Sequence, residues 1–191
     1  MPMTTTHALV PLAATLAFVD RPIPWRLVLV AAFAAAAPDL DGLFKHFLHL
    51  PVTSIYAHRG AAHALFTALA AGFLAAVFHR PLGVRRLTAG VVVAASMASH
   101  GFLDMMTNSG LPVAYLWPLS SMRFFADWRP IQSGPVRVAH LLPDTLIRLR
   151  LEMWQLIMPM FAIALTIRAF RILIGKRISD NRRPGLPSTP D

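Results

Sequence analysis

Three short clusters of ionisable residues carry whatever chemistry this chain performs: Pro38-Asp-Leu-Asp41, Tyr56-Ala-His-Arg-Gly-Ala-Ala-His63 and Ser99-His-Gly-Phe-Leu-Asp104. Each sits at the mouth of an apolar run, where a lipid-embedded helix tolerates charge least unless the charge has a use. His100 and Asp104 are four apart, so a helix would set their Cβ atoms about 5–6 Å apart on one face, suited to a shared ion. His58 and His63 are five apart with Gly60 between them, a spacing that fits a loop entering a helix. His63 is the better ligand of the two, and His58 and Arg59 are expected to contact substrate. Asp39 and Asp41 would diverge on a continuous helix, but Pro38 disfavours helix at Ala37, and a bend there lets both point inward. Asp39, Asp41, His63, His100 and Asp104 are thus the expected metal ligands.

The chain has no cysteine, so any metal is held by nitrogen and oxygen alone. That donor set fits zinc, manganese or iron better than copper(I) or an iron–sulfur cluster. Water on such an ion loses a proton near neutral pH and becomes a nucleophile. Arg59 beside it could pair with a phosphate or carboxylate in bidentate fashion, and whichever of Asp39 and Asp41 is not committed to metal could accept the proton. The implied reaction class is hydrolysis. Plainer readings stand beside these: the aspartates as helix stops, His100 and Asp104 as a structural hydrogen-bonded pair, His58 and Arg59 as interfacial anchors.

The elements that must position these residues are apolar. Of 191 residues 55% are hydrophobic and 14% charged, and the mean hydropathy is +0.54. This is too apolar for an ordinary soluble domain. The net charge of +9 falls mostly between or after the apolar runs, as in a membrane flank rather than a nucleic-acid-reading surface, so no direct nucleic-acid binding is expected. Met1 to Thr6 lacks the positive region of a cleavable signal and is expected to remain in the mature fold.

Five apolar runs are expected to be helices: about Ala8 to Val19, Leu27 to Ala37 and on toward Phe44, Ala61 to Phe78, Leu87 to Met106, and Met153 to Ile174. The first is short for a bilayer crossing. Ala68, Ala71, Gly72 and Ala75 in the third and Gly90, Ala94, Ala95 and Ala98 in the fourth would allow close packing in lipid. Thr107 to Glu152 is a long connection at the interface, in which Leu146-Ile-Arg-Leu-Arg-Leu151 is either an interfacial helix or the lead-in to the last span. The basic, proline-containing tail from 176 to 191 is expected to be disordered. If all five runs cross, His7, Asp39, Asp41, His58, His63, His100 and Asp104 fall on one side. Arg21, Arg26, Arg80, Arg85, Arg86 and the tail fall on the other, the cytoplasmic one by the positive-inside bias.

In this order Thr6-His7, Pro38-Asp-Leu-Asp41, His58-Arg-Gly-Ala-Ala-His63, Ser99-His-Gly-Phe-Leu-Asp-Met-Met-Thr-Asn-Ser-Gly110 and Leu116-Trp-Pro-Leu-Ser120 resemble a family of bacterial inner-membrane proteins described as metal-dependent hydrolases and as LexA-binding. The resemblance covers roughly residues 4 to 125. It implies a multi-pass protein of the inner membrane, adds His7 to the expected ligands and allows a soluble protein partner. A more distant similarity is to zinc-dependent phospholipases C and fungal single-strand nucleases. There an early histidine, an aspartate, a histidine, a His-x-x-x-Asp pair and a later His-x-x-x-Glu pair surround several zinc ions. His7, Asp39 or Asp41, His63 and His100 with Asp104 follow that order, and His140 with Asp144 stands where the last pair would be, with Pro143 inside it and aspartate for glutamate. The similarity puts zinc first; these departures, with Asn108 where a further histidine would follow the His-x-x-x-Asp pair, imply one or two ions rather than three.

The expectation is therefore an all-α, polytopic membrane helical bundle of four to five transmembrane helices, with residues 1–175 as a single domain. Its expected activity is metal-dependent hydrolysis, with a phosphoester in a lipid or lipid-linked molecule as substrate. A membrane-anchored docking module for a soluble protein such as a repressor, and a proton or ion relay, are the alternatives from other classes.

Overall fold

The structure, a computed structural model, describes residues 3–18, 24–42, 51, 53–133 and 141–181. Its helices are α1 Thr4–Phe18, α2 Trp25–Ala36, α3 Leu65–Val77, α4 Arg86–Met105, α5 Leu141–Glu152 and α6 Met158–Asn181. Among the described residues no strand forms. Isolated bridges join Thr107 to Ile131 and Val113 to Phe124.

Among the described residues two stretches are long and apolar enough to cross a membrane, Arg86–Met105 and Pro143–Gly175, fewer than the four to five expected. Proline sets part of the difference. Pro24 caps the start of α2, and Pro38 sits in a 3₁₀ turn, Ala37–Leu40, that replaces its continuation; proline cannot donate the bond that would extend the helix. The 12 residues of α2 rise only about 18 Å, against a hydrocarbon core of roughly 30 Å. The third run also starts late, because Ala61–His63 is a separate 3₁₀ turn before α3. The first starts early, so His7 lies in the opening turn of α1 rather than ahead of it.

At the C-terminus α5, a π-helical turn over Met153–Ile157 and α6 follow one another without a break. The alternating segment Leu146 to Leu151 is thus the lead-in to the last span. Helix persists to Asn181, so the tail expected to be disordered from 176 begins helical; residues 182–191 lie outside the described residues.

This long helix supplies what the short α1 lacks. Every helix leaves its first N–H and last C=O groups without intrahelical partners, a cost that grows where water is scarce. Glu152 is buried and accepts hydrogen bonds from the Met3 N–H at 2.8 Å and from the Thr6 hydroxyl. Sixteen and more residues further along, Arg168 donates to Leu16 O at 3.3 Å and Arg171 to Ala17 O at 3.1 Å. An anion at the N-terminus and cations at the C-terminus also match the helix dipole. Between the caps, Ala13 and Ala17 pack on Ala164, small residues that let the two backbones approach.

The same device joins α3 to α4. A Cβ on Gly72 would lie 2.6 Å from both Ala94 Cβ and Gly90 O, so only glycine permits this crossing. α2 then packs Leu27 and Ala34 against Ala75, Ala89 and Val93. Segment 107–133 folds back over the helix ends: Ala126 N–H donates to Met105 O, Ile131 N–H to Met106 O and Leu65 N–H to Tyr115 O. Arg123 ties it to the preceding loop by donating to His58 O at 2.9 Å and Ser54 O at 2.7 Å.

Candidate metal centre

At this end of the bundle four pieces of chain meet: the first turn of α1, the 3₁₀ turn after α2, the 3₁₀ turn before α3 and the last turns of α4. Asp39, His63, His100 and Asp104 come from three of them, and one ligand atom of each lies within 4.8 Å of all the others. His100 Nε2 is 3.4 Å from Asp39 Oδ1 and 3.9 Å from Asp104 Oδ2. His63 Nε2 is 3.6 Å from Asp104 Oδ2 and 3.9 Å from Asp39 Oδ1. These separations are too long for hydrogen bonds. They are near the spacing of about 3.3 Å between tetrahedral ligands that each stand 2.0–2.1 Å from zinc.

The burial of these atoms makes the point energetically. His63 Nε2, His100 Nε2, Asp39 Oδ1 and Asp104 Oδ1 are buried without a hydrogen bond, as is His7 Nε2. Burying one polar group unsatisfied costs on the order of 1–3 kcal/mol, and more for a charged one. Several such atoms pointing at one space fit a cation with nitrogen and oxygen ligands. Burial also lowers the pKa of His63 against the influence of Asp41, so its ring is neutral at pH 7, the form that ligates.

Each inward-facing histidine is held from behind. His100 Nδ1 is 2.7 Å from Ala35 O, which fixes the proton there and leaves Nε2 as the acceptor. His63 Nδ1 is 3.2 Å from Asp41 Oδ2, and the other oxygen of Asp41 meets His58 Nδ1 at 2.6 Å. Burial disfavours a charged Asp41, yet the hydrogen bond with His58 and the nearby His63 ring outweigh it and hold the carboxyl at about 2. Outer partners of this kind set the tautomer and orientation of ligating histidines. Asp41, His58 and His63 also form a second group with ligand atoms within 4.8 Å of one another.

Arg59 occupies a different place from the substrate-facing one its sequence position suggested. The side chain is fully buried, with Nε 2.9 Å from Asp104 Oδ2 and Nη1 donating to Ser109 O and Leu111 O. Nη2 donates to Thr107 Oγ1 at 3.3 Å, and the Arg59 N–H donates to Asp41 Oδ2 at 3.2 Å. Its backbone is left-handed, with φ 63°. Gly110, at φ 95°, lies flat on the guanidinium, where a Cβ would be 2.9 Å from Nη1. Gly101 does the same for the His63 turn: its Cβ would overlap His63 O and reach within 3.0 Å of the Tyr115 ring.

His7 stacks on His100 with ring centroids 3.7 Å apart, and its Nε2 is 3.7 Å from Asp104 Oδ1. It stands beside the group of four rather than within it. Asp39 is the most exposed of the set, and its Oδ2 accepts a 2.6 Å hydrogen bond from the Thr4 hydroxyl. His140 lies outside the described residues. Asp144 is buried on α5 and belongs to neither group. Sequence reasoning passed over Glu152 and Thr107. For Glu152 a signal existed, a lone carboxylate at the head of the longest apolar run.

No solved structure matches this chain. Inner membrane protein YbcI of Escherichia coli (strain K12) is 36% identical over 140 residues, covering 71% of this chain and 78% of that protein. The profile of the YdjM inner membrane proteins matches residues 1–178, which takes in every helix that shapes the site. The chain therefore belongs to the YdjM inner membrane protein family.

Proposed function

We propose that this protein is a membrane-embedded, metal-dependent hydrolase of a phosphoester in a lipid or lipid-linked molecule. The observation that carries the reading is the convergence of His63 Nε2, His100 Nε2, Asp39 Oδ1 and Asp104 Oδ2 on one buried space, with Asp41 and Ala35 O holding the two rings from outside. His63, His100, Asp104 and Asp39 would hold the ion, with His7 as a further donor against Asp104. A bound zinc ion supplies a Lewis acid and a water whose pKa falls to near neutral.

The chain's own residues do the rest. Arg59 neutralises Asp104 at Oδ2, the oxygen that also faces His63 and His100, and fixes its orientation, a positioning role in place of substrate contact. Asp41 has both oxygens committed to histidines, so it orients rather than accepts a proton. Asp39 would offer Oδ1 to the ion, and the Thr4 hydroxyl on Oδ2 steadies it. It also marks the mouth, between exposed Thr4 and exposed Leu40, where a substrate held in lipid would arrive.

Elemental analysis of the purified protein tests the metal, with His63→Ala and His100→Ala as controls. Wild type is expected to carry stoichiometric transition metal and both variants to lose it. A panel of phospholipids and water-soluble phosphodiesters run on zinc-loaded protein tests the reaction. Equally little metal in all three proteins would overturn the reading.

A further inference from the structure

The far ends of α3 and α4 hold a feature that the metal centre does not use. Where Gly72 lies against Gly90 and Ala94 the two backbones nearly touch, and the larger side chains beside the crossing stand up as walls. Between them runs a groove of about 410 Å³ with Leu69 and Phe73 on one side and Leu87 and Val91 on the other. These wall residues are exposed and apolar, so in a membrane they face acyl chains rather than water. The volume falls in the range of roughly 300–1,000 Å³ that small-ligand sites occupy.

One end of the groove is closed by a cation, Arg86. Arg85 precedes it as the N-cap of α4, and Arg80 opens the 3₁₀ turn Arg80–Leu82 just before. All three are exposed, and no ion pair joins any of them to a described carboxylate. Arg26 reaches the same turn, donating to Pro81 O at 3.3 Å, and adds its charge to this end. An apolar slot ending in arginines that no described carboxylate pairs is complementary to a molecule with a long hydrocarbon chain and an anionic head. Basic pockets between membrane helices recognise anionic phospholipids by this combination.

We propose that the α3–α4 groove is a binding site for an anionic phospholipid, with one acyl chain lying over Gly72, Gly90 and Ala94 and the phosphate held by Arg86 and Arg85. The site lies at the opposite ends of α3 and α4 from His63 and Asp104, and it stands or falls independently of the hydrolase reading.

The test is lipid retention by the detergent-solubilised full chain, measured by native mass spectrometry during titration with dioleoylphosphatidylglycerol or dioleoylphosphatidylcholine. The glycerol lipid is expected to bind one per chain and the choline lipid to be displaced by it. Dihexanoylphosphatidylglycerol, with the same head and too little chain to fill the slot, is expected not to compete. The doubly substituted Arg85→Gln, Arg86→Gln protein should bind the glycerol lipid roughly 30-fold more weakly. Val91→Trp, which fills the groove from an exposed wall, should weaken it with every arginine in place. Equal binding of the two lipids, or retention by the arginine variant, would mean ordinary annular lipid and overturn the proposal. So would a dimer that retains no phosphatidylglycerol and that Val91→Trp converts to monomer, since a second copy would then cover the groove.

Discussion

Asp41 Oδ2 stands 3.2 Å from one nitrogen of His63, Nδ1, while the other, Nε2, stands 3.6 Å from Asp104 Oδ2. One edge of the imidazole is held and the other is offered. His100 repeats the arrangement with a backbone carbonyl in the holding position. Two rings fixed in this way cost little further ordering when an ion binds, and three consequences can be measured.

If Asp41 orients His63 and is not itself a ligand, Asp41→Asn keeps the metal and weakens it. The loss expected for an outer partner is about 10- to 100-fold in affinity. Competition against a chromophoric chelator reads this directly. Loss of metal as complete as in His63→Ala would instead make Asp41 a ligand.

Arg59 is the counter-charge of a fully buried aspartate. Removing one partner of a buried pair costs on the order of 3–5 kcal/mol, because the other charge is left uncompensated. Arg59→Met is expected to lower unfolding stability in detergent by that amount. Arg59→Lys should recover only part, since one ammonium cannot reach Asp104 and the carbonyls of Ser109 and Leu111 together. A lysine variant as stable as wild type would show that the carbonyl contacts contribute nothing.

Glu152 caps α1 from a distant helix. Loss of a capping side chain typically costs about 0.5–2 kcal/mol, and here the loss falls on the turn that carries His7. Glu152→Ala is expected to speed amide hydrogen exchange at residues 4–7 by about tenfold, and to leave α4 unchanged. Glu152→Gln, which still accepts from Met3, should lie between the two. Uniform exchange across the molecule would assign Glu152 to general stability.

Much of this is legible in the amino-acid sequence alone. The apolar runs, broken by Pro38, by Gly60 and by the Arg80 to Arg86 turn, gave the first four helices within a few residues, whereas the last extends well beyond the expected 153–174 at both ends. The order of out-and-back elements placed His7, Asp39, His63, His100 and Asp104 at one end, because chain direction alternates whatever the packing. The small residues of the third and fourth runs allowed close packing, and the structure realises it between these two helices at Gly72, Gly90 and Ala94.

What the order of residues left open was the division of labour among them. Asp39 and Asp41 are two apart and chemically alike, yet one faces the pocket and the other faces the back of His63, which only the 3₁₀ turn after Pro38 determines. Arg59 reads as a substrate clamp until the fold buries its guanidinium against Asp104. Glu152 reads as the end of a loop until it meets Met3 and Thr6, 149 and 146 residues away. Sequence determines which groups reach one end of the bundle, because helix length and alternation are local properties. Tertiary structure decides which of them faces the shared space, which lies behind a histidine ring and which supplies the counter-charge, because hydrogen-bond direction depends on angles among segments far apart in the chain.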